Sequence, residues 1–155
     1  MYYKDYNISY AVLHCLLSND ITLRQINFMP QAEESSITLL IIDSSSFIIE
    51  RLVSMLKEVR IIKKIFTANN YDNALDVLQK TKTDVVLLDI QLPAKNGIDL
   101  LKHIVYHFPK IKVIVLSNLV SDYYEKLCKT EGACFFIDKS KDFDKIPEVI
   151  LSVSN

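Results

Sequence analysis

Five short apolar runs alternate with five helical stripes along this chain, and no hairpin signal separates any two of the runs. The runs are Ile37–Ile42, Ile61–Phe66, Asp84–Asp89, Ile111–Leu116 and Ala133–Ile137. Between and after them come apolar stripes at steps of three and four: Ile48, Leu52, Met55, Leu56 and Val59; Tyr71, Ala74, Leu75 and Leu78; Ile98, Leu101, Ile104, Val105 and Phe108; Tyr123, Tyr124, Leu127 and Cys128; Ile146, Val149, Ile150 and Val153. Such steps put apolar groups on one helix face. Pro109 and Gly132 stop two of these helices, and Ser44 to Ser46 offer N-cap hydroxyls to the first.

Strands that alternate with helices pair in parallel through right-handed crossovers, with helices on both sheet faces. The expected fold is therefore α/β, a doubly wound five-stranded parallel sheet in the order 2-1-3-4-5, flavodoxin-like in topology. Lys63 and Lys64 suit the second strand to an edge. That order brings the C-terminal ends of strands one and three side by side, where open α/β sheets bind their ligands.

With 155 residues, half of them apolar, the chain has enough material for one domain and its core. The formal net charge of −1 comes without a basic run, which argues against direct nucleic-acid binding or a membrane-surface patch. Cys15, Cys128 and Cys134 form no C-x-x-C pair, so a reducing, cytoplasmic setting with packing roles is expected. Residues 1–36 differ in texture from the rest and are expected to form an N-terminal extension, flexible or a short helix, ahead of a domain at 37–155. The apolar run from Ile8 to Leu17 is too short for a membrane span of roughly 20 residues, and the start lacks the basic region of a secretory signal. Met29 is an alternative start.

Four of the five runs deliver a polar group to the same sheet edge: Asp43, Asp89, Ser117 and Lys139. Each alone reads as a cap or turn residue. Together, two carboxylates, a hydroxyl and an ammonium suit phosphoryl chemistry. Carboxylates hold a hard cation or act as nucleophile, while a lysine and a serine hold the transferred oxygens.

These residues, with the segments Asp89-Ile-Gln-Leu-Pro93…Gly97 and Phe136-Ile-Asp-Lys139-Ser140, resemble the receiver domains of bacterial two-component response regulators. The resemblance covers Ile37 to about Val153. It implies that Asp89 accepts a phosphoryl group from a histidine kinase, a phosphotransfer protein or a small phosphodonor. It implies Mg²⁺ bound by Asp43, Asp89 and the backbone carbonyl of Gln91, phosphoryl oxygens held by Ser117 and Lys139, and Phe136 as the aromatic switch residue that follows Ser117. Output would pass by protein contact to a downstream target, with a homodimer compatible. Tyr123, Tyr124 and Lys126 are candidates for the exposed contact face. The chain ends soon after Ser140, so a stand-alone receiver is expected, although the texture of His107 to Ser117 is most like regulators carrying a helix-turn-helix output.

One position departs from the family. Two adjacent acids usually follow the first strand, and here the second is Ser44. A unit charge pair at 4 Å is worth about 4 kcal/mol at an effective dielectric of 20, before hydration offsets much of it. Weakened Mg²⁺ binding is the expectation. The alternative is a pseudo-receiver, a constitutive interaction module that phosphorylates poorly. A phosphatase would want a second acid where Gln91 stands, and a flavin protein would want a longer phosphate cradle than Ser44 to Ser46. The protein is thus expected to be a phosphoacceptor rather than an enzyme. His103 and His107, one helical turn apart, read as a helix flank rather than a metal site.

Overall fold

A computed structural model describes residues 36–154. The expectations for the extension at 1–36, for Met29 and for Cys15 therefore fall, Ser36 apart, outside the described residues. The elements in chain order are β1 (Ile37–Ile42), α1 (Ser46–Leu56), β2 (Ile62–Ala68), α2 (Tyr71–Lys80), β3 (Val85–Asp89), α3 (Gly97–His107), β4 (Lys112–Ser117), α4 (Asp122–Thr130), β5 (Phe135–Asp138), a short 3-10 turn (Phe143–Lys145) and α5 (Ile146–Val153). All strand pairs are parallel, and the sheet order is β2-β1-β3-β4-β5.

The strands read as unbroken apolar runs because both faces of the sheet are covered. On one face Leu40, Ile42, Val86, Leu88, Val113 and Val115 pack with Ala74 and Leu78 of α2, Leu101 and Ile104 of α3 and Cys128 of α4. On the other, Leu39, Ile41, Leu87, Ile114 and Leu116 meet Leu52 and Leu56 of α1 and Ile146 and Ile150 of α5. Each fully buried Leu or Ile contributes about 1.5–3 kcal/mol relative to exposure. Among the described residues, no helix is long and apolar enough to cross a membrane.

Several boundaries differ from expectation. β2 continues through Thr67 and Ala68, because its ladder with Ile41 and Ile42 uses backbone groups and is indifferent to the Thr hydroxyl. β5 begins only at Phe135, after Cys134 has donated its amide to the Val113 carbonyl. α1 ends at Leu56, so Val59 packs on the core from the following loop. The inward stripe of α4 is narrower than expected: Tyr124, Leu127 and Cys128 pack inward, whereas Tyr123 is 68% exposed.

Gly97 fixes the loop after β3. A Cβ there would lie 2.4 Å from the Ile90 Cα, so only glycine lets the start of α3 close against the residue following Asp89. The Gly97 amide donates to the Ile90 carbonyl at 3.2 Å, and Asn96 caps α3 through the Ile98 amide. Ala94, with φ of 66°, makes the left-handed bend between them.

Candidate functional site

Four strand tips are closed in the same way. The Asp43 carboxylate accepts from the Ser45 amide at 2.8 Å, Asp89 from Gln91 at 2.9 Å, Ser117 Oγ from Leu119 at 2.9 Å and Asp138 from Ser140 at 2.8 Å. Each is a side-chain oxygen bonded to the backbone two residues on, the local turn that Asp and Ser favour after extended backbone. These turns hold the side chains at the sheet edge while the chain departs toward its next helix. Ser45 then caps α1 by accepting from the Ile48 amide. Asp43 and Asp89 thus fill the cap-like role expected of each alone and also converge on one point.

That point is the Lys139 ammonium. Lys139 Nζ lies 2.6 Å from Asp43 Oδ2 and 2.8 Å from Asp89 Oδ2. The three side chains are almost wholly buried, with Asp43 at 2%, Asp89 at 5% and Lys139 at 8% exposure. Buried charges persist only when they are paired and hydrogen-bonded, as here. Parallel pairing dictates the meeting: Ile42 sits beside Leu88 in the β1–β3 ladder, so both aspartates leave the sheet at adjacent tips. Lys139 follows β5 immediately and anchors its amide to the Ser117 carbonyl at 3.0 Å before its side chain crosses to β3 and β1.

Ser117 is fully buried beside the site, since Leu116 pairs with Asp89 across β3 and β4. Its hydroxyl is turned to the backbone of Leu119, at 2.9 Å to the amide and 3.5 Å to the carbonyl. Phe136 is partly buried against the α2–α3–α4 side of the core. Ser44 is exposed, and with Gln91, Pro93, Lys95, Leu119 and Tyr124 it lines a 640 Å³ cleft beside the two aspartates. Among the described residues, no group of three or more His, Cys, Asp or Glu side chains is arranged to hold a metal ion. The two carboxylates nonetheless supply the hard oxygen donors that Mg²⁺ takes, with water and carbonyl oxygen as its usual complement.

Asp138 and Ser140 form a unit that the strand pattern alone did not single out. The Ser140 hydroxyl donates to Asp138 Oδ1 at 2.5 Å, and this bond, then the Ser140 amide, holds the Asp138 carboxyl below its usual pKa. The Asp-x-Ser spacing is the available signal, because it is the same turn chemistry used at the other tips. Away from the site, the His103 and His107 rings stack with centroids 4.3 Å apart on α3. Partial burial, and then the charge of His107, lower the pKa of His103.

A family model, the response regulator receiver domain, matches residues 39–151. The transcriptional regulatory protein DegU of Brevibacillus brevis is 27% identical over 127 residues, covering 80% of this chain and 52% of DegU. The protein-glutamate methylesterase/protein-glutamine glutaminase of Bacillus subtilis is 34% identical over 124 residues, covering 74% of this chain and 34% of that protein. The chain therefore spans about half, or less, of the length of these relatives. Among solved structures, the signal receiver domain of a DNA-binding response regulator from Colwellia psychrerythraea superposes with a TM-score of 0.71 at 24% identity, over 76% of this chain and 98% of that one. A chain of the CheX-CheY-BeF3-Mg complex from Borrelia burgdorferi gives a TM-score of 0.68 at 29% identity, over 76% and 88%. With a sheet in the receiver order, two buried aspartates bridged by one lysine at its edge, and a family match over most of its length, this chain belongs to the response regulator receiver domain family.

Proposed function

We propose that the chain works as a phosphorylation-dependent switch whose phosphoacceptor is Asp89. The observation that carries this reading is the buried Lys139 ammonium within hydrogen-bond reach of both Asp43 and Asp89. A carboxylate oxygen of Asp89 attacks phosphorus, the bond from phosphorus to the donor's nitrogen or oxygen breaks, and the donor leaves with that electron pair. Asp89 then carries an acyl phosphate. Lys139, already at the acceptor, balances charge on the incoming oxygens, and Ser117 takes another of them once its hydroxyl leaves the Leu119 amide. Asp43, Asp89 and the Gln91 carbonyl are the groups that would hold Mg²⁺, and the ion when bound would neutralise the phosphoryl oxygens.

Donors are a histidine kinase, a phosphotransfer protein or a small acyl phosphate. Release of Leu119 by Ser117 links the site to the exposed apolar side chains of Leu119, Val120 and Tyr123. A downstream protein would read that surface. Incubation with a small phosphodonor and Mg²⁺ should add one phosphoryl group to the intact mass, and Asp89→Asn should remove the gain. An unchanged mass at saturating Mg²⁺ contradicts the proposal.

Ser44 favours a second reading, a pseudo-receiver that signals by binding alone. An exposed hydroxyl stands where the family resemblance implies a second acid, which leaves two carboxylates balanced in part by one lysine. Ser44→Asp separates the two readings. It should restore incorporation if the serine alone disables the site, and should change little if the native chain already accepts phosphate.

A further inference from the structure

We infer that His103 and His107 form a two-nitrogen chelate for a divalent transition ion such as Ni²⁺, Cu²⁺ or Zn²⁺, on the flank of α3 and apart from the strand-tip cluster. Spacing alone reads as a helix flank, because any two residues four apart share a face. The structure adds that the two imidazoles meet, with centroids 4.3 Å apart and planes tilted by 37°. Two nitrogens at about 2.1 Å from one ion put their ring centres roughly 5 Å apart, so a small opening of the pair admits the ion. The same spacing supplies the paired histidines of helical zinc sites. Neighbouring rings narrow the freedom of the pair: Tyr106 stands edge-on to His107 at 4.8 Å, and Phe108 lies 6.4 Å from His103. Among the described residues, no hydrogen bond or ion pair engages either imidazole, which leaves their nitrogens open to a ligand.

The surroundings favour a cation. The pair lines a 730 Å³ cleft with Tyr71 of α2, with Asp99, Lys102 and Tyr106 of α3, and with Glu131 after α4. Lys102 is tied to Glu131 at 3.4 Å, so Asp99 leaves the cleft one net negative charge while the imidazoles are neutral. His107 stands in the last turn of α3, where open carbonyls and the helix macrodipole also attract positive charge. Protons compete weakly at neutral pH. Partial burial, and then the charge of His107, lower the pKa of His103, which keeps it in the neutral form that binds metal. Imidazole suits Ni²⁺, Cu²⁺ and Zn²⁺, whereas Mg²⁺ takes oxygen ligands. Water completes the coordination, because among the described residues no third His, Cys, Asp or Glu is placed to join the pair. The ion therefore differs in kind from one held by Asp43 and Asp89.

Calorimetric titration with Ni²⁺ in excess Mg²⁺ tests the chelate, comparing the native chain with His103→Gln and His107→Gln. Each variant should bind Ni²⁺ at least tenfold more weakly than the native chain, since losing either nitrogen ends the chelate. Absence of binding by the native chain, or unchanged affinity in either variant, overturns the inference. A second readout needs no variant: the imidazole ¹⁵N resonances of His103 and His107 should shift together along a Zn²⁺ titration. Resonances that stay in place at saturation, or a shift in one ring alone, contradict it. Neither readout involves phosphorylation, so failure here leaves the receiver reading intact, and failure of that reading leaves the chelate intact.

Discussion

The strand-tip cluster and the apolar surface beside it are built on opposite principles, although Ser117 belongs to both. Asp43, Asp89 and Lys139 are buried and every polar atom among them is satisfied, while Leu119, Val120 and Tyr123 lie 42%, 49% and 68% exposed just beyond. The cluster is over-determined: each aspartate is held by an amide and by the ammonium. The surface rests on few such ties, and one of them is the 2.9 Å bond from the Leu119 amide to Ser117. A rigid centre joined to a loosely tied surface by one hydroxyl can change that surface by changing what the hydroxyl binds.

Lys139→Met breaks the comparison most severely. It leaves two buried carboxylates side by side, and stripping the partner from a buried ion pair costs about 3–5 kcal/mol. Chemical denaturation should show a loss of that order. Asp43→Asn, in contrast, relieves the excess negative charge and should change stability little.

Gly97→Ala should cost about 1–3 kcal/mol, the usual penalty of overpacking, because its Cβ would press on the Ile90 backbone at 2.4 Å. It should also slow phosphoryl incorporation, since Ile90 adjoins Asp89. The apolar surface should behave the other way. Leu119→Ser and Tyr123→Ser should move the unfolding free energy by about 0.5 kcal/mol or less, yet lower phosphorylation-dependent partner capture. A large stability loss would show that these residues serve packing instead.

The smallest effect concerns pH at the outermost tip. The folded-state pKa of Asp138 lies below its ordinary value, chiefly through the Ser140 hydroxyl. Its contribution to stability is therefore present above the unfolded pKa and is lost as pH falls through the folded one. Ser140→Ala raises the folded value toward the ordinary one, so melting temperatures of variant and native protein should differ at neutral pH and converge on acidification. A constant gap would contradict this assignment. His103 changes stability in the same direction on α3: burial, and then the charge of His107, disfavour its protonated form in the folded state, so acidification through the imidazole range lowers stability.

The sheet order and the meeting of Asp43, Asp89, Ser117 and Lys139 at one edge were legible because apolar runs and crossovers leave few ways to arrange five alternating units. Ends of elements were less so. β2 is extended by the ladder with Ile41 and Ile42, a nonlocal pairing that Thr67 and Ala68 do not advertise. Tyr123 fits the helical period yet projects outward, because period alone does not fix the width of the buried stripe when Tyr124, Leu127 and Cys128 already fill the contact. Burial of Lys139 was hidden for a related reason, since its two partners come from strands 96 and 50 residues earlier. Only the parallel register brings them under its reach.

In the proposed switch, a change at Asp89 is transmitted to the apolar surface through Ser117. The most direct measurement is an amide NMR comparison of the native chain and Asp89→Asn, each with Mg²⁺ and with and without beryllofluoride as phosphoryl mimic. In the native chain the Ser117, Leu119, Val120 and Tyr123 amides should shift together with that of Phe136, and in Asp89→Asn they should stay in place. Shifts confined to Asp43, Asp89 and Gln91, with the Leu119 amide unmoved, would contradict the account.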